Sequence, residues 1–462
     1  MISNELAEKI LDYAMTHGGD YAEIFEEERE YTKIGIAGKE TPTILAGQEA
    51  GLGVRILKGT KSCYLTFSHP EEGVLFRKMK GALSDWNDRA HIRTFSGKDS
   101  FPKRQQVFRT NVSRRTSHQE TVGILRGIVH AGEEEASCIV RMQTSCVQDR
   151  QQVCIRNTEE CNVLDERCKT RLFVQAFAKD SCEAVQSYTG PGILGGMELF
   201  DSMDAKETAR STAESAATLL HARPCPTGRM PVIVANGFGG LLFHEACGHS
   251  LEATNMADGG SEFSGWIGEQ IASPKVTLVD DGRRPGAWGS LHIDDEGIPT
   301  RCNVLIENGI LKGCLVDRLD GRRLGMPPTG SARRETYRFA PAARMTNTFL
   351  MPGEDDPKEM IRSVMFGLYV KNIHAGSVNP VTGEFNFHTN ETFLIENGRI
   401  VCPVHDATLI GTGREILNQV EMVGTDAAMG QGFCYAGSGA IYIGAGQPTV
   451  KIGKMTVGGD QV

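Results

Sequence analysis

No stretch of the chain approaches the roughly 18 consecutive apolar residues that a membrane-spanning helix requires, which argues against a helical integral membrane protein. Residues 1–19 lack both the basic start and the apolar run of a secretory signal. The expected compartment is therefore the reducing cytoplasm, where most of the 13 cysteines would be free thiols. No Cys-x-x-Cys pair occurs, so neither a zinc knuckle nor a dithiol redox motif is present. Cys138, Cys146, Cys154, Cys161 and Cys168 recur every seven or eight residues without matching either pattern. An excess of positive charge is also missing. The formal charge is −9, which argues against a general nucleic-acid binder. A local basic cluster at Lys103, Arg104, Arg109, Arg114 and Arg115 reads as a solvated face. Finally, Gly237-Phe238-Gly239 follows a strand-like segment, but Leu242 stands where a dinucleotide fingerprint needs its third glycine.

What is present is ordinary globular composition, 40% hydrophobic and 23% charged. A length of 462 residues exceeds one hydrophobic core, so two domains are expected. Residues 4–17 predict an amphipathic helix, with Leu6, Ile10, Leu11 and Ala14 on one face, Ser3 as cap and Gly18-Gly19 as stop. Gly51 to Leu57 and Ser62 to Phe67 flank Lys58-Gly59 and predict a hairpin. Residues 85–185 carry little periodic signal. Asp204 and Glu207 resemble a capping box for a helix over 205–222. The run Arg223 to Gly228, with two prolines and a glycine, ends that helix and marks the boundary between domains at 1–225 and 226–462. Beyond it, Asn308-Gly309 and Asn397-Gly398 sit between apolar runs and predict hairpins. Helices are expected from Pro357 and over Arg414 to Val423 within an otherwise β-dominated half.

The strongest chemical signal lies in residues 230–254. Pro231 to Ala235 reads as a buried strand, Asn236 to Gly240 as a turn, and Leu241 to Gly248 as a helix. His244 and His249 are five apart, whereas zinc-peptidase histidines four apart share a face of a regular helix. Both can meet one metal if the helix widens by a residue or ends so that His249 swings back. Gly248 would make either distortion cheap. Glu245 is then the candidate general base, taking a proton from an activated water. A third ligand is needed, because catalytic zinc usually keeps three. His292, Asp294, Asp295, His388, His405 and Cys434 are all candidates, and spacing does not choose among them.

The chain resembles the TldD/PmbA family, historically labelled modulators of DNA gyrase, and specifically its TldD side. The resemblance lies in Gly237 to His249, Asp294 to Thr300, Arg333 to Tyr337, Arg344 to Thr348, Val378 to Gly383, Ala407 to Gly411 and Gly446 to Thr449. It spans residues 226–462 in order, fits the first 80 residues loosely, and barely touches 85–200. The resemblance implies an α+β protein, with an α/β N-terminal domain before a β-rich C-terminal metallopeptidase domain. It implies zinc held by His244, His249 and Cys434, with Glu245 as catalytic base. It also implies unfolded peptide substrates and a TldE/PmbA-like partner lacking the His-Glu motif, or a homodimer, with no nucleic acid or membrane as partner. A non-catalytic binding role within such a complex is the rival reading. Direct control of a topoisomerase rests only on the family's older label.

Overall fold

A computed structural model describes residues 1–68, 71–86 and 105–459, and the statements below concern these residues. Lys103 and Arg104 of the basic cluster lie outside them. Arg109 pairs with Glu166 at 3.1 Å and Arg114 with Asp201, so these two cations are neutralised locally.

The N-terminal half is built on one eight-stranded sheet. Its spatial order is Lys61–Phe67, Thr43–Lys58, Tyr21–Ala37, Ile139–Asn157, Asn162–Lys179, Gln106–Arg109, with Ala184–Thr189 and Gly192–Leu194 also on Asn162–Lys179. All pairings are antiparallel except that of Gln106–Arg109 with Asn162–Lys179. The α/β layering implied for this half therefore takes the form of helices laid on an antiparallel sheet, not of βαβ units.

Four strands of 16 to 19 residues are long enough to carry two cores in succession. At one end Ala7, Ile10, Leu11 and Ala14 of helix Asn4–Thr16 pack on Ile24, Leu52, Val54 and Ile56. At the other, helices His118–Glu133 and Ala205–Leu219 cover Ile34, Ile36, Met142 and Val174. Ser3 and Asp204 cap their helices as expected, each accepting from backbone N–H groups.

Two of the regularly spaced cysteines have a simple account. Cys146 and Cys154 lie on one strand eight residues apart, an even number, so both side chains leave by the same face and are buried there. Cys161 falls beside the turn into the next strand, and all 13 thiols are unpaired.

The C-terminal half is β-rich. Five strands close on themselves in the order Phe366–Val378, Gly228–Val234, Val450–Gly458, Thr408–Thr412, Glu384–Glu396, the last pairing back to the first. Val232 and Val234 face a continuous core with Leu368, Val370, Leu409 and Ile452. Ile233, between them, faces outward onto Met360 of helix Pro357–Arg362. A second, six-stranded sheet runs Ile310–Leu311, Cys302–Glu307, Leu278–Asp281, Asn347–Leu350, Gly439–Gln447, Ala428–Ala436.

Both Asn-Gly turns form as expected, with Asn308 at φ 49° and Gly309 at 84°, and Asn397 at 51° and Gly398 at 73°. The helix expected over Arg414 to Val423 is corrected. It spans only Gly413–Asn418, because Val420–Val423 leaves it to pair with Val450–Gly458. Between the halves, Arg223–Pro224 adds in parallel to Arg399–His405, and Cys225 already belongs to the barrel's core. No helix among the described residues is long and apolar enough to cross a membrane.

Candidate metal centre

Strand Gly228–Val234 delivers the chain to a tight turn at Gly237–Gly240, which leads into a short helix. The glycines there serve packing rather than nucleotide binding. A Cβ on Gly240 would fall 2.4 Å from the backbone of Gly446. From His244 to Gly248 the helix widens into a π-turn, in which the N–H of His249 donates to the carbonyl of His244 five residues back. That extra residue offsets the five-residue spacing and turns both imidazoles to one side, their centroids 5.1 Å apart and nearly perpendicular.

Gly248 contributes differently from the sequence argument. Its backbone, at φ −56° and ψ −51°, is ordinary right-handed helix. A side chain here would meet Met345, whose sulfur would lie 2.2 Å from the added Cβ and would have to move.

The third member of the group is Cys434, on strand Ala428–Ala436. Its Sγ lies 3.3 Å from His244 Nε2 and 3.1 Å from His249 Nε2. These donor atoms all fall within 4.8 Å of one another, and all three residues are buried. The group could hold a metal ion. Cys247, although inside the motif, points into the core and sits 3.2 Å from the carbonyl of Phe243.

The other candidate ligands are engaged elsewhere. His292 Nδ1 is 2.9 Å from Asp165 and its ring stacks on Phe108. Asp294 accepts from the backbone N–H groups of Glu296, Ile298 and Ala332. Asp295 accepts from Arg167. His388 and His405 bond to Thr408 and Asp406 respectively.

Two residues missed from the sequence orient the group. Glu252 Oε2 lies 3.1 Å from His249 Nδ1, which leaves Nε2 to face Cys434. Arg344 Nε stands 3.6 Å from the other Glu252 oxygen. An acid three residues after His249 was a readable signal, since positions three apart in a helix are neighbours. Arg344, 92 positions beyond Glu252, stood out only as the first residue of a stretch that resembles the family, with nothing to tie it to Glu252.

Electrostatics separate the two histidines. Burial, with His249 and Arg344 nearby, pushes His244 well below the usual imidazole range. Burial acts the same way on His249, but Glu252 and the Cys434 sulfur outweigh it and hold that pKa well above the usual range. Glu245 Oε2 is 3.7 Å from His249 Nε2. Burial raises its pKa, with His249 pulling the other way. Glu245 and His249 open onto a cleft of about 920 Å³, walled by Arg171 and Tyr188 from the N-terminal sheet, by the barrel near Asn372, and by strand Ala428–Ala436.

Comparison with known proteins agrees with this architecture. Residues 227–459 match the family model described as the PmbA/TldA metallopeptidase C-terminal domain. A protein of Buchnera aphidicola named as a metalloprotease TldD homolog is 31% identical over 465 aligned residues, covering 96% of this chain and 94% of that one. A Saccharolobus solfataricus protein named as a zinc metalloprotease TldD homolog is 31% identical over 56% of this chain and 58% of its own. Among solved structures, a Thermotoga maritima protein described as a candidate modulator of a DNA gyrase superposes with a TM-score of 0.78 at 20% identity, over 98% of this chain and 99% of that one. TldE from Thermococcus kodakarensis gives 0.73 at 18%, over 98% and 100%. At these identities the two structures establish the fold.

Proposed function

The chain belongs to the TldD/PmbA metallopeptidase family, and from that membership we propose that it is a zinc-dependent peptidase acting on unfolded or flexible peptides. The observation that carries this is the convergence of His244, His249 and Cys434, from stretches 185 residues apart, beside Glu245 at the edge of a large cleft. Two imidazoles and a sulfur suit zinc, and three protein donors leave a fourth position open. Bound there, zinc would supply a Lewis acid and would lower the pKa of a bound water to about 7.

The chain's own residues do the rest. Glu252, against Nδ1, turns the His249 ring so that Nε2 faces the position a metal would take. Glu245 accepts a proton as water attacks the scissile carbonyl, and its burial-raised pKa suits it to pass that proton to the leaving amine. Strand Ala428–Ala436 has a single pairing neighbour among the described residues, Gly439–Gln447, and lines the cleft. An extended peptide can add to such an edge through main-chain hydrogen bonds. That demands an exposed backbone, which a folded protein has already paired internally. We further take residues 1–225 and 226–462 as the two domains, the cytoplasm as the compartment, and a TldE-like homologue or a second copy of this chain as partner.

The test combines metal analysis with hydrolysis of an unfolded peptide. Wild type should carry about one zinc per chain, lost in His244→Ala and Cys434→Ser and kept in Cys247→Ser. Glu245→Gln should keep the metal while kcat falls about 10²–10⁴-fold. Wild type as metal-free as His244→Ala would end this reading.

A further inference from the structure

Among the described residues, the lining of the metal cleft contains a single Arg or Lys, and it is Arg171. It extends from strand Asn162–Lys179 of the N-terminal sheet to the opposite wall. Its guanidinium packs over three rings, 4.5 Å from the centroid of Phe173, 5.1 Å from Phe433 and 5.4 Å from Trp288. Nε donates to the carbonyl of Gly190 and Nη2 to that of Gln431, each at 2.8 Å. Nη1 is buried and has no hydrogen-bond partner. The side chain as a whole is 7% exposed.

A cation so deeply buried is ordinarily matched by a carboxylate. Lys169 and Arg333, also buried at this junction, bond to backbone carbonyls, but three arginines buried against the N-terminal sheet follow that rule: Arg55 pairs with Glu296, Arg167 with Asp165 and Asp295, and Arg334 with Glu23. Arg171 does not. Burial pulls its pKa down to about 10, and the groups acting against that pull are tyrosines, not acids. The two acids that line the same cleft lie against His249, Glu252 at 3.1 Å and Glu245 at 3.7 Å. The ring faces and two carbonyls hold the guanidinium flat and in place, which is how an arginine is prepared to receive a planar anion.

We propose that Arg171 is a specificity-determining residue that receives a carboxylate of the bound peptide, either its C-terminal α-carboxylate or an Asp or Glu side chain. The proposal rests on the peptidase reading above. Phe433, which stacks on the guanidinium, and Cys434 both line this cleft, so the carboxylate site shares its walls with the ligand sulfur. The competing role is a strut: through the Gln431 carbonyl, Arg171 also steadies strand Ala428–Ala436. A strut treats every peptide alike, and a receptor for carboxylate does not.

Binding separates the two roles without depending on turnover. Fluorescent unfolded hexapeptides would be titrated against the zinc-loaded Glu245→Gln protein, with and without Arg171→Gln or Arg171→Lys. One peptide has neutral side chains and a free C-terminus, the second is its amide, and a third set is amidated with one Glu moved along the chain. A carboxylate-bearing arm should bind about 10–100-fold more tightly than the neutral amide, as expected of hydrogen bonds to a charged group. Arg171→Gln should erase that difference, and Arg171→Lys should keep part of it. The free-acid and Glu arms tell which carboxylate is read. Equal binding of all peptides by the parent protein overturns the proposal, and this comparison stands even where Arg171→Gln fails to fold. Equal weakening of all peptides by Arg171→Gln assigns the strut role instead. Failure of every peptide to bind removes the peptidase reading and this proposal with it.

Discussion

The N-terminal sheet meets the C-terminal half along two very different surfaces, a seam and a cleft. Along the seam, the first seven residues of Tyr21–Ala37 are buried on both faces. Ala22 and Ile24 face the helix side, while Phe25 packs against Ile293 and Tyr337 of the C-terminal half. Glu23 takes Arg334 at 2.7 Å, and Glu27 accepts the N–H of Tyr337 at 2.7 Å. Asp295 binds Arg167 at 2.8 Å and the N–H of Arg334 at 2.8 Å. In the cleft, the same sheet contributes Arg171 with no acid opposite it. Both regions bury charge. In the seam Glu23, Asp295 and Glu296 are matched by arginines that fix position, whereas Arg171 in the cleft faces no acid.

The largest expected effect breaks the seam. Arg334→Ala would leave Glu23 buried without its cation and should cost about 3–5 kcal/mol of stability, read as a lowered denaturant midpoint. A loss near zero would mean the seam is not held by charge matching. Next, Glu252→Gln acts where seam-like pairing reaches the cleft. It removes the carboxylate that orients His249 and should weaken metal affinity about 10–100-fold while the fold persists. Unchanged affinity would show that the π-turn alone orients the ring.

The smallest effect sharpens the comparison by pH. Burial lifts Glu27 from an ordinary 4.5 to about 6. Between those values the folded chain holds a proton that the unfolded chain has released, so stability falls as pH rises through this window. The contribution is about 2 kcal/mol, at roughly 1.36 kcal/mol per unit. Glu27→Gln should flatten the difference between denaturation midpoints at pH 4.5 and pH 6.5. A slope that survives the substitution would place the titrating group elsewhere.

Much of the centre was legible because local geometry dictated it. Two histidines five apart can share a metal if the helix widens or ends between them, and of these two expectations the chain takes the first. Cys434 was beyond such reasoning, since nothing in the spacing of residues 185 apart says that they meet. It came from resemblance, as did much of the weight on Asp294 to Thr300 and Arg333 to Tyr337. Those stretches prove to be largely seam: Asp295, Glu296 and Arg334 pair with the N-terminal sheet rather than lining the site. Val420–Val423 misled because its apolar run continues the preceding helix, and only tertiary pairing with Val450–Gly458 reassigns it. Arg171 could not be singled out, because one arginine in a strand looks like any other until the opposite wall is seen.

The distance between the motif and Cys434 has a consequence for synthesis. A chain emerging from the ribosome displays His244 and His249 while the strand bearing Cys434 is still to be made. The barrel cannot shut before Val450–Gly458 arrives to bridge Gly228–Val234 and Thr408–Thr412. For the 185 residues of synthesis that separate His249 from Cys434, the growing polypeptide thus passes beside a candidate centre that lacks its sulfur.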